Sequence, residues 1–193
     1  MNIKIKLSVL CLGLFLFACN GNVKQNEGPD TSAKQAGDTS SVPKPQWQKS
    51  PKLTLAINTL LSHKNDAFKC DSAIILSYNG VFGEHAYFPL NRKGHLIASI
   101  KQRKKLTSSQ VNTFNKIVGG SGSFKEPVII HCFKPNIGVL YFKDGMVIAQ
   151  SIISLDCAKM KSTAKLGSND HYSSFSQVAV TKLKAFYNEL NLL

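Results

Sequence analysis

Ile137-Gly138-Val139-Leu140-Tyr141-Phe142, then Lys143-Asp144-Gly145, then Met146-Val147-Ile148-Ala149-Gln150-Ser151-Ile152-Ile153-Ser154-Leu155 is the stretch that decides the fold of this 193-residue chain. Two apolar, β-branched runs flank an Asp-Gly pair, a strong short-range signal for an antiparallel hairpin with a two-residue turn. Working outward, Ser72–Tyr78 runs into Asn79-Gly80 and predicts a second hairpin, with Val81–Phe88 as its return strand. Pro89–Gly94 reads as a turn, His95–Arg103 as another strand, and Pro127–Phe133 as the last of about six.

Helical spacing of Leu53, Ile57, Leu60 and Leu61 predicts a short helix before Asn65. Thr107-Ser108-Ser109-Gln110 has the form of a capping box. It is followed by a Val111, Phe114, Ile117, Val118 stripe and a Gly119-Gly120 stop. Ser174-x-x-Gln177 reads as the cap of a final helix, with Phe175, Val178, Ala179, Leu183, Phe186, Tyr187 and Leu190 on its inner side. Hairpin signals between neighbouring strands, with helices at irregular intervals, predict an α+β fold. Its sheet is mainly antiparallel, of about six strands with flanking helices, in one compact domain over residues 52–193.

Upstream the composition changes. Asn20–Pro51 is rich in Gly, Ser, Thr, Gln, Asn and Pro, with Trp47 its only aromatic, and reads as a disordered tether. Before it, Lys4 and Lys6 precede an apolar stretch from Leu7 to Ala18, the pattern of an export signal and too short for a spanning helix. Leu16-Phe17-Ala18-Cys19 resembles a bacterial lipobox. The resemblance implies a signal peptide over 1–18, lipidation of Cys19 and a tether over 19–51. The expected location is the bacterial cell envelope, lipid-anchored at the outer membrane, with the bilayer as the partner of the Cys19 acyl anchor.

Cys70, Cys132 and Cys157 remain for the exported part, enough for one disulfide in an oxidising compartment. A two-residue loop pairs Lys143 with Met146, and counting back along the ladder sets Cys132 opposite Cys157 at a separation a disulfide spans. Cys70 is then a buried thiol. The competing chemistry is soft-metal capture or redox use of His131, Cys132, Cys157 and Met160, whose imidazole, thiolates and thioether suit Cu(I). Against it, neighbouring strand residues such as His131 and Cys132 point to opposite faces, and a bridge consumes both thiolates.

His63, His85, His95, His131 and His171 are scattered, Asp170-His171 lies in a polar loop, and the nucleophile-elbow and zinc-helix motifs are missing from the sequence. The reading leans away from an enzyme and expects no cofactor. A formal charge of +13 admits nucleic acid or an anionic membrane surface as counter-charge. The densest basic run, Lys101, Arg103, Lys104 and Lys105, lacks interleaved aromatics, which argues against nucleic acid and leaves anionic lipid or plain solvation.

Cys132-Phe133-Lys134-Pro135-Asn136-Ile137-Gly138, the following hairpin and Cys157 resemble a Cys-Phe-x-Pro-x-x-Gly, hairpin, Cys-x-x-Cys pattern of uncharacterised Bacteroidetes-type lipoproteins. The chain departs from that pattern at Met160, where its last cysteine stands. The resemblance implies an envelope lipoprotein and brings no established activity. The functional expectation is a non-catalytic binding or scaffolding domain, with protein partner and ligand open.

Overall fold

The central strands of this fold are apolar at consecutive positions because both faces of their sheet are covered. The computed structural model describes residues 44–59, 61–63, 69–80, 87–125, 132–166 and 172–193. The predicted signal, Cys19 and most of the tether lie outside them, as do His85, His131, His171 and most of the predicted strands at 81–88 and 127–133.

In chain order the elements are β1 (Trp47–Lys52), β2 (Ser62–His63), β3 (Ser72–Tyr78), β4 (His95–Ile97), β5 (Ile100–Lys105), α1 (Ser108–Gly119) and β6 (Phe124–Lys125). They continue with β7 (Ile137–Lys143), β8 (Met146–Ser154), β9 (Lys159–Ser162), β10 (Lys165–Leu166), β11 (Tyr172–Phe175) and α2 (Gln177–Glu189). Seven strands make the main sheet, in the order β5-β3-β7-β8-β9-β11-β6, with every neighbour antiparallel. β1 pairs with β4, and β10 pairs with β2 in parallel, as two small separate sheets. The α+β class and the mainly antiparallel sheet are as expected.

One face of the main sheet carries the helices. Ala73, Ile75, Val139, Tyr141, Ala149 and Ile153 share a single core with Val111, Phe114 and Val118 of α1 and Ala179, Leu183, Phe186 and Tyr187 of α2. Phe114 is its keystone: its ring lies 6.5 Å from that of Tyr141 in the sheet and 5.9 Å from that of Phe186 in α2. The Thr107 capping box with Gln110 forms as expected. α2 is capped by Ser176, whose Oγ accepts from the Ala179 N–H. Ser174, the expected cap, is buried in β11, and Val178 is exposed to 63% rather than on the inner side.

The other face is covered by irregular pieces. Residues 53–59 form an extended strap, not the predicted helix: Leu53, Leu55 and Ile57 alternate inward at period two, and tertiary bonds fix them so. β9 pairs only with the second half of β8, residues 151–154, so the first half has a free side. The strap fills it. Val147 N–H donates to Thr54 O (2.9 Å), Ala56 N–H to Val147 O (2.9 Å) and Asn58 N–H to Ile148 O (3.0 Å). Residues 47–51, placed in the tether by composition, belong instead to β1 of the folded unit. The expected strand at 95–103 breaks at Ala98-Ser99, giving β4 to one sheet and β5 to the other. The predicted Asn79-Gly80 hairpin has no free edge to close on, since β5 and β7 occupy both sides of β3.

The Asp-Gly hairpin forms, with φ of 50° at Asp144 and 75° at Gly145. Its register holds for Lys143↔Met146 and Phe142↔Val147 only. Ile148 is bulged, and from Tyr141↔Ala149 to Ile137↔Ile153 the ladder runs one residue out of the count.

Candidate functional site

Cys132 precedes β7 and Cys157 sits in the turn between β8 and β9, and the two are joined as a disulfide with Cα atoms 5.7 Å apart. The expected pair is right, although the count that led to it is off by the bulge. Both cysteines lie beyond the ladder, where the irregular segment 132–136 and the 155–158 turn meet. Lys134 N–H donates to Ser154 Oγ (3.4 Å), and Asn136 N–H to Ile153 O (3.2 Å), which hold the two sides together.

The pattern around Cys132 resolves into packing. Phe133 is buried beside Tyr78, Ile97 and Ile152. Pro135 is buried, and a Cβ at Gly80 would overlap its carbonyl. At Gly138 a Cβ would stand 2.8 Å from Pro89 Cγ, so only glycine lets segment 87–90 lie this close over the sheet. That segment is pinned by a buried glutamine: Leu90 N–H donates to Gln150 Oε1 (3.2 Å), and Gln150 Nε2 donates to Leu90 O (3.0 Å).

Of the proposed soft-metal set, the structure brings Cys132 and Cys157 together, but as a disulfide. Met160 is fully buried in the helix-side core. His131 lies outside the described residues. Among the described residues, no three His, Cys, Asp or Glu side chains converge on a metal position.

Cys70 is a free, half-buried thiol whose pKa is pushed up to about 11, first by burial and then by the charge of Asp71. It is therefore protonated at neutral pH and a poor nucleophile. Behind it, burial holds the Tyr141 hydroxyl far above its ordinary value, and the nearby Ser151 hydroxyl offsets part of that rise. Ser151 Oγ donates in turn to Ser162 Oγ (2.8 Å), and the Ala164 N–H also bonds Ser162 Oγ (3.1 Å). The serine pair joins β8 and β9 from within the core.

The expected basic run forms the edge strand β5. Lys101 to Lys105 are all exposed, at the end of the seven-stranded sheet. Register sets Arg103 and Lys105 on the same face as their partners' side chains Leu76 and Ile74, the face covered by the strap and β1. Arg103 Nη2 donates to Gln48 Oε1, which ties β5 to β1 across that face. Lys44, Lys49 and Lys52 are exposed on or beside β1, and Arg92 and Lys93 in the turn before β4. The pairing of Lys52 with His95 places that turn next to β1. Residues 44–59 and 87–105 together hold nine lysines and arginines and no aspartate or glutamate. Sequence reading found only the β5 portion, because β1 and β4 meet it through pairings more than forty residues apart.

A groove between the helices, about 340 Å³, is floored by Ile117 and Phe186, with Lys116, Lys182 and Glu189 at its rim. Comparisons with protein-family models, with curated proteins and with solved structures found no match for this chain.

Proposed function

We propose that this chain is a bacterial envelope lipoprotein, held at the outer membrane by acyl chains on Cys19, whose folded unit is a non-catalytic binding or scaffolding domain. The observation that carries the reading is the Cys132–Cys157 disulfide, which joins the segment before β7 to the turn after β8. Such bonds form and persist in oxidising, exported compartments, the destination that Leu16-Phe17-Ala18-Cys19 also points to. Sequence and fold thus converge from opposite ends of the chain. The Cys-Phe-x-Pro-x-x-Gly segment supports the same reading, because its distinctive residues pack the fold instead of lining a reactive cleft. Soft-metal or redox use of Cys132, Cys157 and Met160 draws no such support, with both thiols spent and the thioether buried.

The test is Cys19→Ser in the full chain. Incorporation of a labelled fatty acid and partitioning into the detergent phase should both be lost, while the disulfide still forms. Undiminished membrane partitioning of the variant would overturn the reading.

A further inference from the structure

We propose that the cationic layer formed by β1, the turn before β4 and the edge strand β5 is a docking face for anionic phospholipid headgroups. It lays the folded unit against the membrane that anchors it. The inference rests on the anchored reading above, and three independent observations carry it.

The first is charge. The layer gathers Lys49, Lys52, Arg92 and Lys93 with Lys101, Arg103 and Lys105, all exposed. The carboxylates among the described residues are Asp71, Asp144, Asp156 and Glu189. None belongs to the segments that build this layer. Among the described residues no ion pair engages these cations, and each cation near an anionic surface strengthens partitioning about fivefold.

The second is connectivity. Lys44 leads directly into β1, the first strand, so the layer that carries the charge includes the strand nearest in sequence to Cys19. Two dozen residues separate Cys19 from Lys44, with a fully extended reach of at most about 3.6 Å each. That span keeps the layer within reach of the headgroups at high effective concentration.

The third is Trp47, the chain's single tryptophan. It stands at the start of β1, partly buried against the cluster of Tyr78, Ile97, Phe133 and Ile152, in the same strand as Lys49 and Lys52. An indole in that position suits the boundary between apolar core and headgroups. Lysines on an edge strand also prevent sheet-to-sheet association, which accounts for β5 taken alone. It can account for Lys49 and Lys52 as well, since β1 is an edge strand of its own two-stranded sheet, but not for Arg92 and Lys93, which stand in a turn.

Trp47 provides the readout. The lipidated full chain is reconstituted into phosphatidylethanolamine vesicles with and without phosphatidylglycerol, each carrying a headgroup-labelled quencher lipid. Quenching of Trp47 should be several-fold stronger with the anionic lipid. It should fall to the neutral level when salt rises from about 0.1 M to about 1 M, which shortens the screening length from about 10 Å to about 3 Å. Lys52→Gln with Lys101→Gln and Lys105→Gln should remove the difference, and Lys182→Gln with Lys184→Gln on α2 should preserve it.

Chain that no longer floats with either vesicle defeats the anchored reading. Chain that floats with both but is quenched equally defeats the docking face alone. Self-association of the triple variant with an unchanged lipid response would reduce these cations to edge protection. Capture by soluble heparin with indifference to anionic vesicles would give the face to a polyanion and overturn the membrane assignment.

Discussion

The two faces of the main sheet are buried by opposite means. On one, two capped helices present regular apolar stripes to a single continuous core, joined through the rings of Phe114, Tyr141 and Phe186. On the other, a strap, a two-stranded ribbon and a short segment cover two smaller clusters. Those irregular pieces are fastened by specific bonds: the strap to the backbone of Val147 and Ile148, Leu90 to the amide of Gln150, and Cys132 to Cys157. A regular layer is held by area, whereas an irregular one needs individual fasteners, because its backbone groups find no partners within a helix. Perturbations should therefore register differently on the two sides.

The largest effect belongs to the helix side. Phe114→Ala removes the ring that touches both sheet and α2, and should cost about 3–5 kcal/mol in denaturant unfolding. A cost near that of a surface substitution would show the two helices holding to the sheet independently. On the irregular side, Cys132→Ser and Cys157→Ser should each cost about 3 kcal/mol, and the double variant little more, since either one opens the same loop of 25 residues. Non-reducing peptide mapping checks the pairing directly, and a Cys70 crosslink would refute it. Gln150→Leu should cost about 1–3 kcal/mol by stranding the buried N–H and C=O of Leu90, with hydrogen exchange accelerating in 87–97 before it does in α1.

The smallest effect concerns Cys70, at the border of the helix-side core. Its pKa of about 11 predicts slow alkylation near neutrality, with a rate that climbs as pH approaches that value. The folded state holds this proton more tightly than the unfolded state, whose thiol titrates near its ordinary value. The resulting stabilisation is complete below the ordinary thiol value and is lost as pH rises towards 11. Cys70→Ser should flatten that alkaline decline, and an unaltered profile would assign the decline to other groups.

What was legible in the sequence follows the same division. The caps at Thr107, the stripes of both helices and the Asp144-Gly145 turn are local signals, complete within a dozen residues. The strap was missed because Leu53, Ile57, Leu60 and Leu61 satisfy a helical period as well as they fit a strand. What decides between them is the open side of β8, which no local window contains. The bulge at Ile148 was invisible for a related reason. Where both faces are apolar, a slip of one residue exposes nothing, so alternation carries no information about register. The disulfide survived the slip because Cys132 and Cys157 lie in loops that the ladder does not govern. The cationic layer was half legible: β5 is one run of sequence, whereas Lys49, Lys52, Arg92 and Lys93 join it only through β1–β4 pairing and the Arg103–Gln48 bond.

β1 pairs with a single strand of three residues and stands apart from the seven-stranded sheet. Tension applied from the N-terminal side reaches the fold at Trp47, one end of that short ribbon, and loads its bonds one after another as in a zipper. The ribbon and the Gln48–Arg103 tie to β5 take the load before the strap does. Peeling of residues 44–59 would release slack of about 3.3–3.6 Å per residue while both helices and the disulfide stay intact. A domain pulled from this end would yield first at the ribbon, which lengthens the chain before it disturbs the helix-side core.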